Sequence, residues 1–200
     1  MTATKGETTR ETILDEALAL ASRIGFEPLS IGALAQGVGM SKSGLYAHFR
    51  DKEELQLEVL RKAAAIFAET VAAPAFRAER GEKRVRALFE NWLAWSQSDR
   101  IPGGCVFVSA ANEYDDRPGA VRDLLVEQQQ RWLGALARAA GIAIESGDFR
   151  ADLDVDQFAH DFYGVVLAYN HFHRLLRDPQ AEARARAAFE GLLAAARGSR

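Results

Sequence analysis

The chain has 200 residues, room for one domain or two small ones, and is 48% hydrophobic and 26% charged, the composition of an ordinary soluble globular protein. Its net charge of −3 argues against indiscriminate adhesion to nucleic acid but leaves room for a small local basic surface. One cysteine, Cys105, is too few for an intrachain disulfide or a Cys-rich metal site and fits a reducing cytoplasm. The N-terminus lacks the long apolar run of a signal peptide, so a cytoplasmic location is expected. The apolar-rich stretch 155–176 is interrupted by Asp156, His160, Asp161, Asn170, His171 and Arg174, which argues against a membrane span.

Apolar residues recur at the helical period throughout. A first helix starts near Thr8 or Thr9, where Thr8 and Glu11 have capping-box spacing, and runs on Ile13, Leu14, Ala17, Leu18, Ala21 and Ile24 to Gly25. Ser30 opens a second helix, with Ile31, Leu34, Ala35 and Val38 inward, and Gly39 stops it. Ser41 opens a third, closing by Arg50. Asp51 and Glu54 start a fourth, carried by Leu55, Val59, Leu60, Ala63, Ile66, Phe67 and Val71 as far as Pro74. Further helices are expected over 81–98, 106–112, 119–144, 155–176 (capped by Asp154) and 180–197. "CVFVSA" is the one strand-like piece, and a lone strand makes no sheet. The expected fold class is therefore all-α, with about nine helices.

The stretch "VGMSKSGLYAHFRDKEEL" carries the chemistry. Two helices joined by the short turn "GMSK" make a helix-turn-helix, whose second helix enters the DNA major groove N-terminus first. Ser41, Lys42 and Ser43 put short donors and a cation at a helix N-terminus, which itself favours phosphate oxygen. Gly44 lets backbone approach DNA, Tyr46 and His48 add donors one turn on, and Lys52 and Ser30 stand within reach of phosphate. The alternative, an ordinary helical corner, fits poorly with Ser-Lys-Ser-Gly as core material.

On these residues the chain resembles the TetR family of transcriptional repressors. The match runs through Thr9-Arg10-x-x-Ile13-Leu14, Arg23-x-Gly25-Phe26, Ser30-Ile31-x-x-Leu34-Ala35, Gly39-Met40-Ser41-Lys42 and Leu45-Tyr46-x-His48-Phe49, with Lys52 and Leu55. The resemblance implies a three-helix DNA-binding head, residues 1–51, joined to a larger ligand-binding and dimerisation domain, residues 52–200. It places Ser41, Lys42, Ser43, Gly44, Tyr46, His48 and Lys52 in the DNA-contacting region and packs Leu45 and Phe49 inward. It also implies a homodimer on a palindromic double-stranded operator, released by a small-molecule inducer through a tilt of the fourth helix. One departure is Gly32 and Ala33 in the first turn of the second helix, where the family often carries a polar or basic residue. Eight Lys and Arg face nine Asp and Glu over residues 1–62, so binding should rest on local placement and depend only modestly on salt.

In the rest of the chain, Trp92, Trp95, Phe107, Tyr114, Trp132 and Tyr163 are candidate pocket residues as well as core residues, and Asn112, Glu113, Asn170 and His171 could orient a ligand. The helix over 155–176 is apolar on more than one side. Phe158, Phe162, Val165, Val166, Tyr169 and Phe172, with Phe189 and Leu192 of the last helix, are the expected dimer interface; the alternative is a monomeric core. Tyr169 serves either reading. Cys105 follows Pro-Gly-Gly, a placement that resembles a family branch in which some members sense electrophiles or oxidants through a thiol, although a buried inert cysteine is the commoner outcome.

The four histidines do not make a metal site: His171 and His173 face different ways on a helix, and His160 lies three turns from His171. No cofactor or enzyme motif is found: there is no nucleophile elbow, phosphate loop, zinc motif or dinucleotide fingerprint. An activator with the same head and no inducer is the remaining alternative.

Overall fold

The structure is a computed structural model that describes residues 5–197, with side-chain surroundings from residue 9 onward. All regular structure among these residues is helical: α1 (Lys5–Ile24), α2 (Ile31–Val38), α3 (Lys42–Tyr46), α4 (Lys52–Phe67), a π-helical segment (Ala68–Ala72), α5 (Ala73–Arg77), α6 (Glu82–Ser96), α7 (Val106–Tyr114), α8 (Ala120–Glu145), α9 (Val155–Asn170), a second π-helical segment (His171–Leu175) and α10 (Ala181–Arg197). The strand-like "CVFVSA" lies in α7 and the residues leading into it. No described helix is long and apolar enough to cross a membrane.

Local chemistry explains most boundaries. Ser30 Oγ accepts from Ala33 N at 3.1 Å to open α2, and Gly39, at φ 66°, closes it. Asp51 Oδ1 accepts from Glu54 N at 2.8 Å while Glu54 Oε2 accepts from Arg50 N at 2.9 Å, a reciprocal cap on α4. Asp154 accepts from the amides of Asp156 and Gln157 to open α9.

Three expectations are revised. The first helix begins at Lys5, so Thr8 lies inside it rather than at its cap; the Thr8 side chain is outside the described residues. The third helix stops at Tyr46, four residues short of Arg50, because His48 N and Phe49 N both turn back onto Leu45 O. Pro74 does not end the fourth helix. It sits in the first turn of α5, where its missing N–H costs least, directly after the π segment. Asn91 Nδ2 donates to Val71 O there at 3.0 Å.

The chain divides into two compact units, residues 1–67 with 97–128 and residues 68–96 with 129–200. In the first, α1 packs on α2, α4 and α7, and α2 on α3. Its core includes Leu14, Leu18, Phe26, Leu34, Leu45, Phe49, Leu55 and Leu60, each at most 3% exposed. In the second, α5 packs on α6 and α9 on α10 around a cluster of rings. Phe89 stacks on Phe189 at 4.1 Å between centroids, and Phe162 meets both edge-on. Trp132 meets Phe162, and Trp92 meets Tyr169, in the same edge-on way. Outside the rings, Arg86 pairs with Glu82 and Glu190, and Arg197 with Glu82, joining α6 to α10.

Candidate nucleic-acid interface

The sequence splits α3 and its flanks by face. Leu45 is 0% and Phe49 1% exposed, and the Arg10 guanidinium covers the Phe49 ring at 5.1 Å. On the other side Ser41, Lys42 and Ser43 are exposed and Tyr46 is 56% exposed, a large aromatic left open to solvent. Gly44 and His48 are half-buried. Ser41 Oγ accepts from Gly44 N at 3.1 Å and lies 3.1 Å from Ser43 Oγ, so the hydroxyls expected to meet DNA also hold the helix start.

The bare first turn of α2 has a use. A Cβ added at Gly32 would lie 3.4 Å from Lys42 Cε, 3.6 Å from Lys42 Nζ and 3.8 Å from Ser30 Oγ. The Lys42 chain therefore runs across this turn and brings its ammonium beside the N-terminus of α2, where a longer side chain would compete for the space. A cation from α3 thus stands where Gly32 supplies none.

Lys52, expected to reach phosphate, is paired in this structure: its Nζ lies 3.1 Å from Glu27 Oε1. The same carboxylate is 3.5 Å from Arg117 Nη1, and the Lys52 hydrogen bond, foremost, holds the Glu27 carboxyl below its usual range. Ser30 is half-buried and its oxygen is already used as the cap of α2.

The turn joining α1 to α2 is fixed from several directions. Glu113, at the end of α7, accepts from Phe26 N at 3.2 Å through Oε1 and from Glu27 N at 2.7 Å through Oε2. Gly25 has φ 90°, and a Cβ there would meet Glu113 Oε1 at 2.7 Å, so both conformation and space demand glycine. From α4, the buried Gln56 donates to Phe26 O and, at 3.4 Å, to Leu29 O. Tyr114, hydrogen-bonded to Gln56, has its phenol pushed up to about 12 by burial, with the charges of Glu113 and Glu27 adding to it. One loop earlier, Gly103 N donates to Ser22 Oγ at 2.9 Å, and a Cβ at Gly103 would fall 1.6 Å from Ser22 O. Glu113, read from sequence as a ligand-orienting group, is instead committed to backbone amides 86 and 87 residues away. Neither Glu113 nor Gln56 has a sequence signal for this role, because the partners are main-chain groups far along the chain.

The candidate pocket residues divide between the units. Cys105, Phe107, Asn112 and Tyr114 lie in the first, and Trp92, Trp95, Trp132, Tyr163, Asn170 and His171 in the second. Cys105, at 4% exposure, is the residue before α7, and Phe107 meets Phe67 edge-on at 5.7 Å. Asn112 and His171 are exposed, and Tyr163 and Asn170 half-buried. Trp92, Trp95 and Trp132 are buried core.

Of the residues expected at a dimer face, Phe158, Phe162, Val166, Tyr169 and Phe189 are at most 2% exposed within the single chain, where the ring cluster absorbs them. A partner could not reach those side chains as they stand. Val165 and Leu192 are half-buried and Phe172 is 39% exposed. Beside Phe172, Leu167, Leu175 and Leu176 are 41%, 69% and 54% exposed, an apolar run that the periodicity did not single out.

The chain matches two family models, one of bacterial regulatory proteins of the tetR family over residues 13–59, the other of the tetracyclin repressor-like C-terminal domain over residues 81–189. It is similar to the HTH-type transcriptional regulator AcrR of Shigella flexneri, 38% identical over 55 residues, which is 28% of this chain and about a quarter (26%) of that protein. The HTH-type transcriptional repressor KstR2 of Mycobacterium tuberculosis is 28% identical over 153 residues, covering 74% of this chain and 72% of the relative. In fold, the chain is similar throughout its length to the crystal structure of a TetR-family transcriptional regulator from Cytophaga hutchinsonii, with a TM-score of 0.82 at 19% identity and all of both chains covered. With a helix-turn-helix at its front and both family models matched in order, this chain belongs to the TetR family of bacterial regulatory proteins.

Proposed function

We propose that the chain works as a ligand-responsive homodimeric repressor that binds a palindromic DNA operator and is released by a small-molecule inducer. The observation that carries this reading is the two-faced α3: Leu45 and Phe49 closed into the core, Lys42, Ser43 and Tyr46 open to solvent. Residues 1–51 read DNA, with Ser41, Lys42, Ser43, Gly44, Tyr46 and His48 at the groove and Ser30 and Lys52 toward phosphate; residues 52–200 pair the subunits and hold the inducer. Lys52 must leave Glu27 to do its part. The exposed run Leu167, Phe172, Leu175 and Leu176 supports pairing with a second copy, since adjoining apolar surface of this kind is stabilised by being covered. The inducer must prefer the conformation that fits DNA poorly, because only differential affinity shifts the equilibrium.

Selection of bound fragments from genomic DNA, followed by inducer screening on the recovered site, tests the reading. An enriched palindrome with half-sites about one helical turn apart is expected. Absence of any enriched palindrome overturns it. Light scattering after size exclusion should return a dimer at micromolar concentration, and a monomer there would remove the homodimer.

A further inference from the structure

We propose that Glu113 is a positioning residue for DNA reading: it holds the α1–α2 turn, and with it the helix-turn-helix, in the register set by α7. The inference rests on the operator-binding function proposed above and goes beyond it by naming the residue through which α7 governs the head.

Three features of the first compact unit carry it. The Glu113 carboxylate spends both oxygens on consecutive amides, Phe26 N and Glu27 N. Phe26 is 0% exposed, so removing the acceptor leaves a buried N–H without its partner, a state folded proteins avoid. The grip also has two points. Gly103, ahead of α7, lies against the backbone of Ser22, and Glu113, in the last turn of α7, takes the amides that follow α1. A displacement of α7 therefore reaches the end of α1 through both contacts. Finally, the turn has little freedom to respond alone. Its carbonyls are taken by Gln56 of α4, and the Glu27 side chain stands between Lys52 and Arg117. When Lys52 turns to a DNA phosphate, Glu27 keeps Arg117 and the turn keeps Glu113. α7 lies within the stretch matched by the C-terminal family model, yet in the structure it packs on α1 of the head.

The experiment uses the full chain and the operator recovered from genomic selection, together with copies of that operator whose half-sites are moved one base pair closer or farther apart. In Glu113→Ala, affinity for the recovered operator should fall on the order of tenfold, within the range of measured coupling between sites. Discrimination against the altered spacings should shrink as well, because a loosened head tolerates misplacement. Glu113→Gln keeps one acceptor of the two and should fall between Ala and wild type. Hydrogen exchange at the Glu27 amide should quicken in both variants, with α4 protection unchanged at a temperature where each is folded. Should Glu113→Ala fail to fold, Glu113→Gln carries the comparison. Wild-type spacing discrimination in a folded variant, or unchanged exchange at Glu27, overturns the inference. Failure to recover any operator from the wild type overturns instead the DNA-reading function on which it rests.

Discussion

In the unit built from residues 1–67 and 97–128, turns are fixed by side chains that take single backbone amides: Ser30, Ser41, Asp51 and Glu113. In the unit built from residues 68–96 and 129–200, the work falls to rings, with Phe89, Phe162 and Phe189 packed against one another and Trp132 on their edge. The difference follows from what each surface is left free to do. A head that offers Lys42, Ser43 and Tyr46 outward has few large side chains to spare and secures its short helices end by end. A unit of long helices can bury a broad aromatic seam and add ion pairs around it.

The contrast can be broken by mutation. Phe162→Ala removes a ring that is 0% exposed and should cost about 3–5 kcal/mol in denaturant unfolding. A loss under about 1 kcal/mol, the size expected of an ordinary peripheral position, would mean the seam is not the main support. Lys42→Ala should weaken operator binding and lower the slope of log K against log salt by about 0.9, the loss of one phosphate contact. Tyr46→Ala should weaken binding with the slope kept, and neither substitution should shift the thermal midpoint appreciably. A cap has a smaller effect: Ser30→Ala should cost about 1 kcal/mol, and Ser30→Gly only a few tenths, read in the same unfolding experiment.

The smallest expected effect concerns pH in the aromatic unit. The hydrogen bond from Arg197, and then that from Arg86, holds the Glu82 carboxyl below its ordinary value of 4.5. A folded pKa below the unfolded one means the native state binds fewer protons, so the contribution is complete above about pH 5 and fades as pH falls through the folded pKa. Glu82→Gln should therefore flatten the acid limb of the stability curve relative to wild type. An unchanged limb would show that these partly exposed pairs contribute nothing measurable, as many surface pairs do.

How much of this was legible in the sequence depends on the distance between partners. Ser30, Ser41, Asp51 and Asp154 announce helix starts because a cap and its amide lie two or three residues apart. Leu45 and Phe49 were legible as inward because they share a face four residues apart. The same logic fails for Lys52, whose partner Glu27 is 25 residues back, and for Glu113. Periodicity also shows that α9 is apolar on more than one side without saying what covers it. Phe158, Phe162, Val166 and Tyr169 are buried within the chain, while Leu167 and Phe172 stay open. The early stop of α3 was hidden for another reason: two amides converge on Leu45 O, a choice between competing local bonds that composition does not decide.

Gly103 sets a limit on how this protein could be redesigned. The contact that would put a Cβ 1.6 Å from the Ser22 carbonyl oxygen is with main chain, so no rotamer change could relieve it. In a saturation library scored for soluble, foldable chains, position 103 should tolerate almost nothing else, although it stands in a loop where variation is ordinarily cheap. Anyone transplanting a different sensing loop between α6 and α7 inherits that constraint: the graft must bring a glycine to the same spot.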